Sequence, residues 1–183
     1  MNKTLAMALL CAAAATPVFA QSQSHWYGAL DFGTLTMKNT NYPEPGTMSV
    51  SGGYRFSPNL AAEGGLMFVG DSTLVDATGT SNARQSGLQF AAVGILPLSQ
   101  SFELFGKAGL GFHTVKMSGT GAYAGTYDPY TTTNIIYGAG AQVNFSPKFG
   151  MRLQYESLGK AKSSATDPGA DISRLSVGAV LNF

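Results

Sequence analysis

From residue 25 onward, apolar residues recur at every second position rather than at helical spacing. In residues 102–112 one face carries Phe102, Leu104, Ala108, Leu110 and Phe112, while the alternate set is Glu103, Phe105, Lys107, Gly109 and Gly111. Residues 149–156 divide in the same way, with Phe149, Met151, Leu153 and Tyr155 against Gly150, Arg152, Gln154 and Glu156. A period of two is the signature of strands. It predicts eight of them, at about 25–36, 47–56, 60–70, 85–96, 102–115, 133–145, 149–158 and 172–183. Most reach the roughly nine to eleven residues that cross a bilayer at a tilt.

Proline cannot donate to a ladder and is excluded from central strands. Pro43, Pro45, Pro58, Pro97, Pro129, Pro147 and Pro168 all fall in the predicted connections or at a strand end. Those connections alternate in length. The turns at 57–59, 97–101 and 146–148 are short, and the stretches near 37–46, 71–84, 116–132 and 159–171 are long. An all-β, eight-stranded antiparallel up-and-down barrel with two unlike ends follows, and in a transmembrane barrel the short turns are periplasmic and the long loops external. The long loops are rich in Gly, Ser, Thr, Asn and Asp and read as solvated polar connections; Tyr123, Tyr127 and Tyr130 in one of them leave open an adhesive aromatic surface.

The more polar face mixes small residues with isolated charges, which suits a narrow, crowded interior better than a water-exposed sheet. Parity assigns Asp31, Arg55, Glu63, Glu103, Lys107, Arg152, Glu156 and Arg174 to the lumen, four acids and four bases. Charges shielded from bulk water are costly unless paired, so a balanced set is expected. Depth counted from the short turns puts Glu63, Lys107 and Arg152 in one layer, with Glu63 between the two cations and Glu156 further in. Gly109 and Gly111 would leave room for the Lys107 side chain and its neighbours. On the outward face, Trp26, Phe56, Phe102, Phe145, Phe149 and Phe183 gather near the short-turn rim as an interfacial girdle.

Composition adds an export route. Lys3, the apolar stretch Leu5 to Ala15 and the small residues of Val18-Phe19-Ala20 read as a signal peptide over 1–20, cleaved after Ala20, ahead of a barrel domain at 21–183. The single cysteine, Cys11, lies in that segment, so neither disulfides nor cysteine-ligated metal are expected to hold the mature chain. Of 11 basic residues one is Lys3, which leaves the mature chain balanced against 10 acidic ones and gives no reason to expect a nucleic-acid partner. Nothing calls for a cofactor, and a monomer is expected.

The stretches GGYRFSPNLAAEGGL (52–66), AAVGILPLSQSFELFGKAGLGF (91–112) and YGAGAQVNFSPKFGMRLQYESLG (137–159) resemble the OmpA-like and OmpX-like eight-stranded outer-membrane barrels. The resemblance implies a bacterial outer-membrane location, contact with outer-membrane lipid and lipopolysaccharide, and insertion by the barrel-assembly machinery. The ending LSVGAVLNF is similar to the family's insertion signal, with Val177, Ala179, Leu181 and Phe183 at alternate positions. In that family a lumen Glu pairs with Lys and Arg, which carries over to Glu63, Lys107 and Arg152. OmpA itself continues into a peptidoglycan-binding domain and this sequence stops at Phe183, so cell-wall anchoring is not expected.

Several functions stay open on the sequence. The preferred one is a structural or surface-interaction barrel that supports membrane integrity and displays loops to host or phage ligands. A small-conductance channel gated by lumen salt bridges is an alternative; open porins use about 16–18 strands. An outer-membrane lipid-modifying enzyme needs a nucleophile with a base in reach, and only His25 and His113 are available. His113 is followed by Thr114-Val115 rather than the His-x-Ser of lipid A deacylase barrels, so it is expected at a lumen or rim position without catalytic residues. A soluble periplasmic lipid-binding barrel is a further alternative.

Overall fold

The computed structural model describes residues 25–38, 44–121, 124–126, 128–162 and 169–183. The signal-peptide segment, together with Tyr123 and Tyr127, lies outside these residues. Eight long strands form the barrel: β1 (Trp26–Met37), β2 (Gly46–Ser57), β3 (Leu60–Val69), β5 (Gly79–Pro97), β6 (Phe102–Gly121), β8 (Tyr130–Asn144), β9 (Phe149–Ala161) and β10 (Ala170–Asn182). Two short strands, β4 (Ser72–Asp76) and β7 (Gly125–Thr126), add to its upper edge. All pairings are antiparallel. They run β5-β3-β2-β1-β10-β9-β8-β6, and β5 pairs with β6 to complete the ring. The terminal strands join in register from Tyr27↔Asn182 to Met37↔Ile172, and the Phe183 amide donates to the Trp26 carbonyl at 3.0 Å.

The β2–β3, β5–β6 and β8–β9 connections are short and lie at one end with both barrel termini. At the other end the structure departs from the loops expected at 71–84 and 116–132. β5 and β6 continue upward as one ladder to Gly79↔Gly121, flanked by β4 and β7. The Thr and Ser residues there suit a ladder as well as a loop, and above a membrane neither face has to be apolar, so the alternation fades while the pairing goes on.

The surface is inverted relative to a soluble protein. Leu66, Leu110, Leu153, Leu175 and Val177 stand exposed around the outside, whereas all eight lumen charges named above are buried. A continuous apolar belt of this kind marks contact with membrane. Along β6 it runs from Phe102 to Phe112, and ten strand steps at a 35–45° tilt cover about 25 Å, the height of the apolar band in outer-membrane barrels.

Candidate functional site: the lumen

The interior is filled in three tiers. Nearest the short turns, Tyr27, Ala29, Ala61, Val93, Ile95 and Val180 pack with Phe105. Nearest the long connections, Leu35, Met67, Val69, Ile136, Leu158 and Ile172 pack with Met37. All of these residues alternate with lipid-facing ones along their strands, a signal that a search for lumen charges alone leaves unused. Between the two clusters lies a layer of ion pairs.

Arg152 on β9 is its hub. Its Nε and Nη2 donate to the two Asp31 carboxylate oxygens at 2.8 and 2.7 Å, and its Nη1 donates to Glu63 Oε2 at 2.6 Å. This forked engagement is what a guanidinium offers and an ammonium does not. Glu63 also accepts from the Tyr27 hydroxyl at 3.2 Å and faces Lys107 Nζ at 3.5 Å. Glu63 therefore stands between Arg152 and Lys107, but Lys107 lies nearer to Glu156 than to Glu63. Glu156 in turn binds Arg174, whose Nη1 donates to Ser49 Oγ at 2.9 Å, and Ser49 donates to Asp31 Oδ2 at 3.3 Å. The chain of contacts closes on itself: Asp31, Arg152, Glu63, Lys107, Glu156, Arg174, Ser49 and back to Asp31. Three carboxylates and three cations, held by β1, β2, β3, β6, β9 and β10, span the lumen with no net charge.

Below this ring, Arg55 and Glu103 form a separate fork at 3.2 and 2.8 Å, with Asn144 donating to Glu103 at 3.3 Å and the Arg55 guanidinium 5.9 Å from the Tyr27 ring centre. A cavity of about 20 Å³ separates this pair from Arg152 and Glu63, room for no more than a water or so.

Two glycines show how closely the wall is fitted to its contents. A Cβ on Gly178 would lie 2.2 Å from Asp31 Oδ1, so β10 can pass Asp31 only as glycine. Gly111 makes room for His113 rather than for Lys107, since its Cβ would lie 2.6 Å from the imidazole Nε2. His113 itself is fully buried, and neither ring nitrogen has a hydrogen-bond partner among the described residues. His25 is exposed, stacked 5.7 Å from the Tyr54 ring. Sequence reasoning missed Tyr27, Ser49, Asn144 and Gln142; their inward parity was the available signal, but short polar side chains are common on both faces.

Outside, Trp26, Phe56, Phe102, Phe145, Phe149 and Phe183 project outward at the short-turn end. Tyr54 joins them, edge-on to Trp26 at 4.9 Å and to Phe56 at 5.2 Å, and Phe145 stacks on Phe149 at 6.0 Å. Val177, Leu181 and Phe183 are exposed on the same face, with Ala179 between them partly covered.

A closed eight-stranded barrel with an apolar outside, a buried polar and ionic interior and a rim of aromatic rings is an integral outer-membrane protein. The family model for the outer membrane protein beta-barrel domain matches residues 4–183, and the chain belongs to that family. Solved structures share the fold at low identity. Ail of Yersinia pestis, in complex with the heparin analogue sucrose octasulfate, aligns with a TM-score of 0.63 at 16% identity, covering 88% of this chain and 99% of that one. Neisserial surface protein A aligns at 0.67 and 15%, covering 89% and 100%. The N-terminal barrel domain of OprF from Pseudomonas aeruginosa aligns at 0.57 and 14%, covering 88% and 100%. No curated protein sequence matches the chain.

Proposed function

We propose that this protein is a sealed, non-enzymatic barrel that contributes to outer-membrane integrity and carries a surface for ligands above the membrane. The observation that supports it is the closed ring of ion pairs lying between two apolar clusters inside the barrel. Ions crossing such a layer would have to displace buried, mutually compensated charges. The full burial of His113 favours a structural role, because a general base must come within hydrogen-bond reach of the substrate proton.

In this reading residues 1–20 are an export signal cleaved after Ala20, and the exposed residues ending at Phe183 guide insertion by the barrel-assembly machinery. The mature protein works as a monomer in contact with outer-membrane lipid and lipopolysaccharide. Ail, which shares the fold, was solved with a heparin analogue. By that likeness the raised β4–β5–β6–β7 sheet is the part of this barrel placed to meet host or phage surface molecules.

A gated small conductance is the second reading, favoured by one feature: Lys107 stands between two carboxylates, Glu63 and Glu156, and could change partners. Planar-bilayer recording separates the two. A sealed barrel stays silent in wild type and in Glu63→Ala alike, whereas a gated one conducts more once Glu63 is removed.

A further inference from the structure

The outward face of β5 and β6 changes character at a definite height. Leu88↔Phe112 is its last apolar rung; Ser86↔Thr114, Arg84↔Lys116 and Asn82↔Ser118 follow above it. Each rung on one face is two residues further along the strand, so the Arg84–Lys116 rung stands roughly 10 Å above the last apolar one at barrel tilt. That is the level of lipid head groups, not of open solvent. Both side chains share the parity of Leu88 and Phe112, so they point sideways into the membrane surface.

Two like charges directly opposed across a ladder repel unless an anion lies between them. Asp71 takes only one edge of Arg84, accepting from Nε at 2.7 Å and Nη2 at 2.8 Å. Arg84 Nη1 has no hydrogen bond among the described residues, and neither does Lys116 have an ion-pair partner among them. Arg84 stays 70% exposed even when paired. Arg84 and Lys116 line an open groove of about 590 Å³ together with Asp71, Asn82, Ser118 and Asp128.

This set divides by chemistry. Two cations with spare N–H groups suit a phosphate, since charge-assisted hydrogen bonds to phosphate are the strong ones available to Arg and Lys. The two carboxylates, the amide and the hydroxyl suit sugar hydroxyls, and they would disfavour a bare multivalent anion. We propose that this groove binds the phosphorylated sugar head group of an outer-leaflet glycolipid, with Arg84 and Lys116 on the phosphate and Asp71, Asn82 and Asp128 on hydroxyls. The proposal rests on the reading that the barrel works in contact with outer-membrane lipid, and it adds the site.

The test is native mass spectrometry of the full barrel released from detergent, titrated with diphosphoryl lipid A, monophosphoryl lipid A or phosphatidylglycerol. Wild type should retain diphosphoryl lipid A in preference to phosphatidylglycerol. Arg84→Gln and Lys116→Gln should each weaken that retention about tenfold, and removing one lipid phosphate should narrow the difference between variant and wild type. Unchanged heat-modifiable gel mobility shows that the variants are folded; a variant that fails this check is replaced by Lys116→Met. Equal retention by wild type and folded variants overturns the site. Equal retention of phosphatidylglycerol overturns the phosphosugar assignment, and preferential binding of soluble sucrose octasulfate over lipid A overturns the lipid as its occupant. None of these outcomes touches the sealed lumen, which conductance tests separately.

Discussion

Replacing Arg152 by Met removes the hub of the ring while leaving an apolar stem of similar length. Asp31, fully buried, then loses both guanidinium contacts and keeps only the Ser49 hydroxyl at 3.3 Å. Glu63 fares better, because the Tyr27 hydroxyl and Lys107 remain beside it. The dominant cost is therefore an uncompensated carboxylate at Asp31. A charge pair at about 4 Å in an effective dielectric near 20 is worth about 4 kcal/mol, and breaking a buried pair from one side costs about 3–5 kcal/mol. A loss of that size is a large part of the roughly 5–15 kcal/mol that holds a folded domain. Urea unfolding in lipid vesicles measures it directly, followed by the fluorescence of Trp26, the single tryptophan, and by heat-modifiable mobility. Asp31→Asn in the Arg152→Met background should recover part of the loss, with a coupling of about 2 kcal/mol between the two positions. If Arg152→Met shifts unfolding by less than about 0.5 kcal/mol, or if the two substitutions simply add, the ring is not the interaction described above.

Other expectations follow from the wall and the rim. Gly178→Ala places a Cβ 2.2 Å from Asp31 Oδ1 and 2.6 Å from the Leu30 carbonyl oxygen, so the carboxylate and the strand beside it must shift; the loss should be about 1–3 kcal/mol in the same urea assay, against the small gain that alanine normally brings in a strand. The Asp71–Arg84 pair gives a pH prediction of opposite scale. Hydrogen bonds from Arg84, and then its charge, hold the Asp71 carboxyl below the usual aspartate range. Its folded value is thus lower than its unfolded one, so what the pair contributes is complete above about pH 4 and fades as pH falls through the folded value. An exposed pair of this kind contributes little to global stability. A fall in amide protection factors at acid pH, confined to β4 and the top of β5, is the expected sign, and an even change over the whole barrel would contradict it.

The barrel strands were legible because a membrane on one side and a crowded lumen on the other impose alternation on every residue between them. That constraint ends at the rungs above Leu88 and Phe112, and there the alternation no longer marks strands: β4, β7 and the upper parts of β5 and β6 have the composition of loops. The interior divides in a similar way. Parity tells which residues point inward, but which inward charge meets which depends on the stagger between strands. The sequence count thus paired Lys107 with Glu63, whereas the stagger sets its Nζ closer to Glu156. Stagger also decides which neighbour a glycine serves: Gly111 accommodates His113, two residues along its own strand, rather than Lys107 below. The apolar clusters at either end of the lumen could have been found by parity, since Leu35, Met67 and Leu158 alternate with residues that face lipid, but nothing short of the closed barrel gathers them into two plugs.

Current through the purified barrel in a planar lipid bilayer tests the central claim most directly. With its lumen closed by the ring of Asp31, Arg152, Glu63, Lys107, Glu156, Arg174 and Ser49, the wild-type protein should carry no steady current at any salt concentration. A steady ohmic current that grows in proportion to salt would contradict the sealed barrel.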